Sequence, residues 1–114
     1  MIIRQVRCTV AEGDLPAFLQ HAREVISSHI GRVDGLVLLE LAIRHVGEGK
    51  VNVIAQSHWR DFAAMQSYLQ QNLYKPALWD PDNRWLSEAT VEHFELVERE
   101  STARAEGMGG GSAA

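Results

Sequence analysis

Four stretches that alternate with a period of two, two that carry apolar residues at helical spacing, and one glycine-bearing four-residue turn predict an α+β domain. The order is strand, helix, strand, strand, helix, strand. This is the split βαβ, ferredoxin-like plan, one antiparallel-rich sheet with two helices on one face.

The first strand is expected over Ile2 to Val10, where Ile2, Arg4, Val6, Cys8 and Val10 alternate with Ile3, Gln5, Arg7 and Thr9. Ala11 to Gly13 turn the chain, and Asp14 with Pro16 marks a helix start. Leu15, Phe18, Leu19, Ala22, Val25, Ile26 and Ile30 then give one apolar stripe, opposite Gln20, Arg23, Glu24 and Ser27. Gly31 ends that helix. Leu36 to Val46 and Val51 to Trp59 flank Gly47-Glu48-Gly49-Lys50, the signature of a hairpin. A second helix begins near Asp61, with Phe62, Met65 and Leu69 on one face. Pro76 and Pro81 interrupt the aromatic-rich stretch that follows, and a short helix is expected from Pro81 to Glu88. Thr90 to Arg99 reads as the last strand. The domain is expected over residues 1–100, with 101–114 a flexible tail that ends in glycine-rich sequence.

Two helices cover one side of four strands, yet Leu36 to Val46 is apolar on both sides. A second copy of the sheet is the simplest cover for the other face, so a homodimer is expected. A chain of 114 residues has room for one domain and a modest core. The net charge of −4, with eleven basic residues and no basic run, argues against nucleic-acid binding driven by phosphate attraction. No apolar run is long enough for a membrane span, so no membrane partner is expected. Cys8, the single cysteine, has no internal partner, which points to a reducing, cytoplasmic setting.

The stretch Val53-Ile54-Ala55-Gln56-Ser57-His58-Trp59-Arg60-Asp61-Phe62-Ala63-Ala64-Met65-Gln66-Ser67-Tyr68-Leu69 resembles the antibiotic biosynthesis monooxygenase (ABM) domain of the dimeric α/β-barrel superfamily. The resemblance rests on Trp59 at the end of a third strand, a polar pair behind it, and an alanine- and leucine-bearing helix. It implies a ferredoxin-like, dimeric α/β barrel. Members include cofactor-independent oxygenases of aromatic phenols, haem-degrading enzymes and quinol oxygenases. Ala55 stands where the aromatic-polyketide oxygenases carry an asparagine, and Asn72-Leu73-Tyr74-Lys75 where many members carry a histidine. The haem-degrading branch has an asparagine on its first strand, whereas Ile2 to Val10 contains none, so no haem cofactor is implied.

No P-loop, H-E-x-x-H, C-x-x-C or G-x-S-x-G motif occurs, and none of the five histidines stands at metal-ligand spacing. His21 and His29, about eighty degrees apart around the first helix, are expected on its solvated edges. His58 and His93 fall at one end of the sheet on either side of the first strand, on the order of 10 Å apart. Either suits the role of a general base beside a pocket. Tyr68, Tyr74, Trp79 and Trp85, together with Trp59, would give a planar ligand aromatic walls. Asn52, Gln56 and Arg84 are candidate donors to its oxygen. Tyr74 to Trp85 is expected to fold back as a lid near His58 and His93.

These features, with the resemblance, lead to a cofactor-independent monooxygenase that oxidises a phenolic or quinol-type aromatic with O2. Its catalytic residues would be His58, His93 and Trp59. The alternative is a non-oxidative binding or isomerase-like protein on the same scaffold, since a fold does not fix a chemistry.

Overall fold

β1 (Ile2–Ala11) pairs along both of its edges in the computed structural model, which describes residues 1–100. The expected tail at 101–114 lies outside the described residues. α1 (Leu15–His29) leads to β2 (Leu36–Gly47), which turns into β3 (Lys50–Trp59). α2 (Phe62–Leu69) and two single 3-10 turns, Gln70–Asn72 and Pro76–Leu78, precede β4 (Ser87–Glu95). The sheet order is β2-β3-β1-β4, with every neighbouring pair antiparallel. The expected α+β, ferredoxin-like architecture is what forms. No helix among the described residues is long and apolar enough to cross a membrane.

The period of two along β1 divides the molecule. Val6, Cys8 and Val10 turn to the face covered by the helices, where they meet Ala55, Val53 and Val51 across the β1–β3 register. Phe18, Ala22 and Val25 of α1 and Met65 and Leu69 of α2 close that core. The odd residues of β1 share the other, open face with Asn52, Ile54, Gln56 and His58 of β3. Ile54 and Phe94 remain exposed there. β2 forms one edge of the sheet, and its pairing with β3 slips twice, between Leu36 and Leu38 and between His45 and Gly47.

The join between β3 and α2 is built on charges and one glycine. The Asp61 side chain accepts the Ala64 N–H at 2.8 Å, which caps α2 as its sequence suggests. Arg60 donates to both oxygens of Asp34 at 3.2 and 3.3 Å, and its own N–H reaches the Gly35 carbonyl at 2.7 Å.

Two expectations change. No helix forms over Pro81 to Glu88, because the buried Asp80 carboxylate claims that backbone. It accepts the N–H groups of Arg84, Trp85 and Leu86, each at 2.9 Å, and so winds a loop. The last strand accordingly starts at Ser87 and ends at Glu95, not Thr90 to Arg99.

Gly35 adopts φ +80°, and a methyl group on it would collide with the Ala64 side chain. Gly31 has a similar φ of +79° with open space around it. Gly31→Ala should cost about 1–2 kcal/mol, the price of a left-handed backbone alone. Gly35→Ala should cost about 2–4 kcal/mol, as overpacking adds to it. Urea denaturation of the two variants side by side checks the difference.

Candidate functional site

α1 and the stretch from α2 to β4 do not meet along their whole length, and the space between them is a cleft of about 700 Å³. Its volume is that of a pocket for a small organic ligand. His21, Val25 and His29 recur at i, i+4 and i+8 on α1 and form one wall, with Glu24 and Ser28 beside them. Tyr68 and Leu69 of α2, then Asn72, Leu78 and Pro81, form the other. The His21 ring packs on Trp85 at 5.2 Å, which in turn meets the edge of Phe18 at 6.0 Å. Its Nε2 is buried and has no hydrogen-bond partner. The His29 ring stands at right angles to Tyr68, 6.0 Å away, while its Nδ1 lies 2.8 Å from the Val25 carbonyl. Donation of Nδ1–H to that carbonyl leaves Nε2 with its lone pair. Both imidazoles are therefore cleft residues, not the solvated edges expected. The sequence did hold the signal: each is one turn from the buried Val25.

The residues nominated from sequence separate into two groups. Tyr68 lines the cleft, and Trp85 supports His21 from behind. Trp59 is wholly buried, stacks at a tilt against Tyr68 at 6.0 Å, and donates its N–H to Ser57 Oγ at 2.9 Å. Trp79 is also wholly buried. Arg84 lies over the Trp85 ring at 5.2 Å with Asp82 at 3.9 Å. Asn52, Gln56 and His58 lie on the open face, on the far side of the sheet from the cleft. Gln56 sits in a hydrogen-bonded row with Gln5, Glu40 and His58. Asn52 borders a smaller hollow of about 440 Å³ with Arg7, Arg44 and Ile54.

His58 and His93 share one end of the sheet, as expected, but not one face. His58 pairs with Ile3 and His93 with Arg4, consecutive residues of β1 that point in opposite directions. A single pocket cannot hold both. His58 is covered by Arg99, which donates to its Nδ1 at 3.0 Å. His93 stands on the covered face between Tyr74, at 5.1 Å, and Phe62, at 6.4 Å. The expected lid is likewise redistributed. Tyr74 lies by His93, whereas Trp85 lies by α1, so the segment runs the length of the sheet. Among the described residues, no group of three histidine, cysteine or acidic side chains is placed to hold a metal.

Burial sets the charges. It holds the His58 ring below its ordinary value, helped by the Arg99 cation and opposed by Glu40. It does the same for His93, helped by Arg4 and opposed by the Leu73 peptide. Burial also pushes the Cys8 thiol up to about 11, so it stays protonated and unreactive.

A scan against protein-family models finds no match, and a search of curated proteins finds none. Solved structures do match. A candidate antibiotic biosynthesis monooxygenase from Deinococcus radiodurans superposes with a TM-score of 0.66 at 15% identity, over 89% of this chain and 97% of that one. The haem-degrader MhuD of Mycobacterium tuberculosis, whose active site holds two haems, gives 0.63 at 18% identity, over 89% and 100%. A candidate antibiotic biosynthesis monooxygenase from Bacillus cereus gives 0.62 at 17%, over 88% and 96%. At these identities the likeness is one of fold. The chain has the fold of structures named for antibiotic biosynthesis monooxygenases, the family that its Val53–Leu69 stretch resembles.

Both lowered histidines bind a proton less readily in the folded chain than in the unfolded one, whose histidines titrate near 6.5. Unfolding therefore takes up protons, and stability falls as the pH drops through that value. The urea midpoint should decrease between neutral pH and about pH 5. A His58→Gln, His93→Gln double variant should show a shallower decrease.

Proposed function

We propose that this protein is a monooxygenase that oxidises a phenolic or quinol-type aromatic compound with O2 in the α1–α2 cleft. The observation that carries the reading is a cleft of ligand size that His21 and Tyr68 line, with a hydrogen-bonding position of the His21 ring, Nε2, left without a partner. The fold shared with structures named for this activity agrees with it.

The chemistry asks little of the protein. His21 Nε2 takes the phenol proton, as a neutral imidazole can. The resulting phenolate is electron-rich enough to give its electrons to O2 directly. A C–O bond forms at a ring carbon that bears hydrogen, which leaves a hydroperoxide. Loss of water from that group makes the second carbonyl, so that phenol and O2 become quinone and water. All four electrons come from the substrate, and the reading calls for no cofactor. Tyr68 and Leu69 flank the ring, and the supporting contact of Trp85 fixes the imidazole.

We read the chain as a cytoplasmic homodimer whose open faces meet. Exposed Ile54 and Phe94 on that face support the dimer, and the single, free cysteine supports the compartment. Sedimentation at micromolar concentration should give twice the chain mass.

Oxygen consumption with a panel of dihydroxynaphthalenes tests the reading. One O2 should disappear per quinone formed. His21→Gln should lower kcat about 10²- to 10⁴-fold with an unchanged circular dichroism spectrum. Stabilisation by the same compounds without oxygen uptake would instead assign a non-oxidative binding protein.

A further inference from the structure

Arg4 points from β1 into the covered face and has no exposed surface. Peptide carbonyls alone hold its guanidinium: Nε donates to Leu73 at 3.1 Å, and Nη2 donates to Asn72 at 3.5 Å and to Lys75. Nη1 has no partner. Directly across the β1–β4 register stands His93, whose Nε2 is also buried and unpartnered. No acid among the described residues forms an ion pair with Arg4. Asp80, the buried carboxylate, is occupied by three peptide N–H groups.

We propose that Arg4 and His93 form a second site, separate from the cleft, that binds the carboxylate of a small aromatic acid. A buried cation is costly unless an opposite charge or a full set of hydrogen bonds compensates it. Here the charge is whole, one Nη is open, and the neighbouring ring nitrogen is open as well. Side chains directly opposite in an antiparallel pair are about 5 Å apart at Cβ, a spacing that lets both reach one carboxylate. The anion supplies the missing charge. It takes one hydrogen bond from Arg4 Nη1 and a second from His93, which binds a proton as the anion enters.

The rings beside the two groups set the rest of the ligand. Tyr74 and Phe62 both flank the His93 imidazole edge-on, Tyr74 largely exposed at 69% and Phe62 partly so at 42%. An aryl ring attached to the carboxylate covers those two rings as the acid group passes beneath them. Tyr74 follows Leu73, whose carbonyl holds Arg4, so the exposed ring and the buried charge are linked through one peptide. The site does not rest on the oxygenase reading. α2 stands between the two, with Tyr68 facing His29 on one side and Phe62 facing His93 on the other.

Imidazole titration by NMR, with and without benzoate, tests the proposal on the intact chain. The groups that face His93 are Arg4 from β1, the Leu73 peptide, Phe62 from α2 and Tyr74 beyond it, with exposed Glu95 two residues along β4. Benzoate should raise the His93 midpoint by about one pH unit or more. Arg4→Met should abolish the response. Tyr74→Ala, an exposed change that spares the fold, should weaken benzoate binding about five- to tenfold and decides the matter if Arg4→Met does not fold. A His93 midpoint indifferent to benzoate, the result a water bridging the two nitrogens gives, overturns the proposal. Acetate that binds as tightly as benzoate overturns its aromatic part.

Discussion

β1 is hydrogen-bonded on both edges, and no residue of it can turn without breaking a ladder. Its alternation is therefore fixed, and it transmits to every strand registered on it. Arg4, Val6, Cys8 and Val10 belong to the face beneath the helices, whereas Ile3, Gln5, Arg7 and Thr9 belong to the open one. The fate of each candidate residue follows from that division. His93 falls on the covered face because it opposes Arg4, and His58 falls on the open face, where Arg99 buries it, because it opposes Ile3. The cleft and the Arg4–His93 pair share the covered face, where burial removes competing water and a polar group without a partner has chemical weight.

Much of the architecture was legible in the residues. Alternation marked all four strands, the Gly47–Lys50 turn marked the hairpin, and Asp61 marked the start of α2 within a residue. These signals are local, set by side-chain period and cap chemistry, and they need no knowledge of what packs where. The segment from Asn72 to Leu86 was less legible for the opposite reason. Its shape depends on one carboxylate, that of Asp80, gathering backbone N–H groups four to six residues ahead. The competing helical reading of Pro81 to Glu88 had no local feature against it.

The site was legible in kind and not in place. An aromatic pocket with a histidine was expected, and Tyr68 does line a cleft with imidazoles. The histidines there are His21 and His29, whose spacing around Val25 spoke for a common stripe that their polarity masked. The sequence placed His58 and His93 at one end of the sheet, but a face is a matter of register, and one residue of slip exchanges the two faces. β4 does slip against β1, between Arg7 and Thr9. Arg4 was invisible altogether, because an arginine in an alternating strand reads as amphipathic and not as a buried cation.

The slips in β2 have a further meaning. This twelve-residue strand lies at the edge of the sheet, and an edge offers a free row of peptide groups on which another chain can add as a new strand. Straight, apolar edges invite such accretion and lead to fibrils. Here the pairing is irregular at both ends, between Leu36 and Leu38 and between His45 and Gly47, and Glu40, Arg44 and His45 stand exposed along the strand. A foreign strand would have to match two kinks and desolvate three polar side chains to dock. The strand with the most leucine and isoleucine in the chain is thus also guarded against self-templated growth, by its own bends and charges.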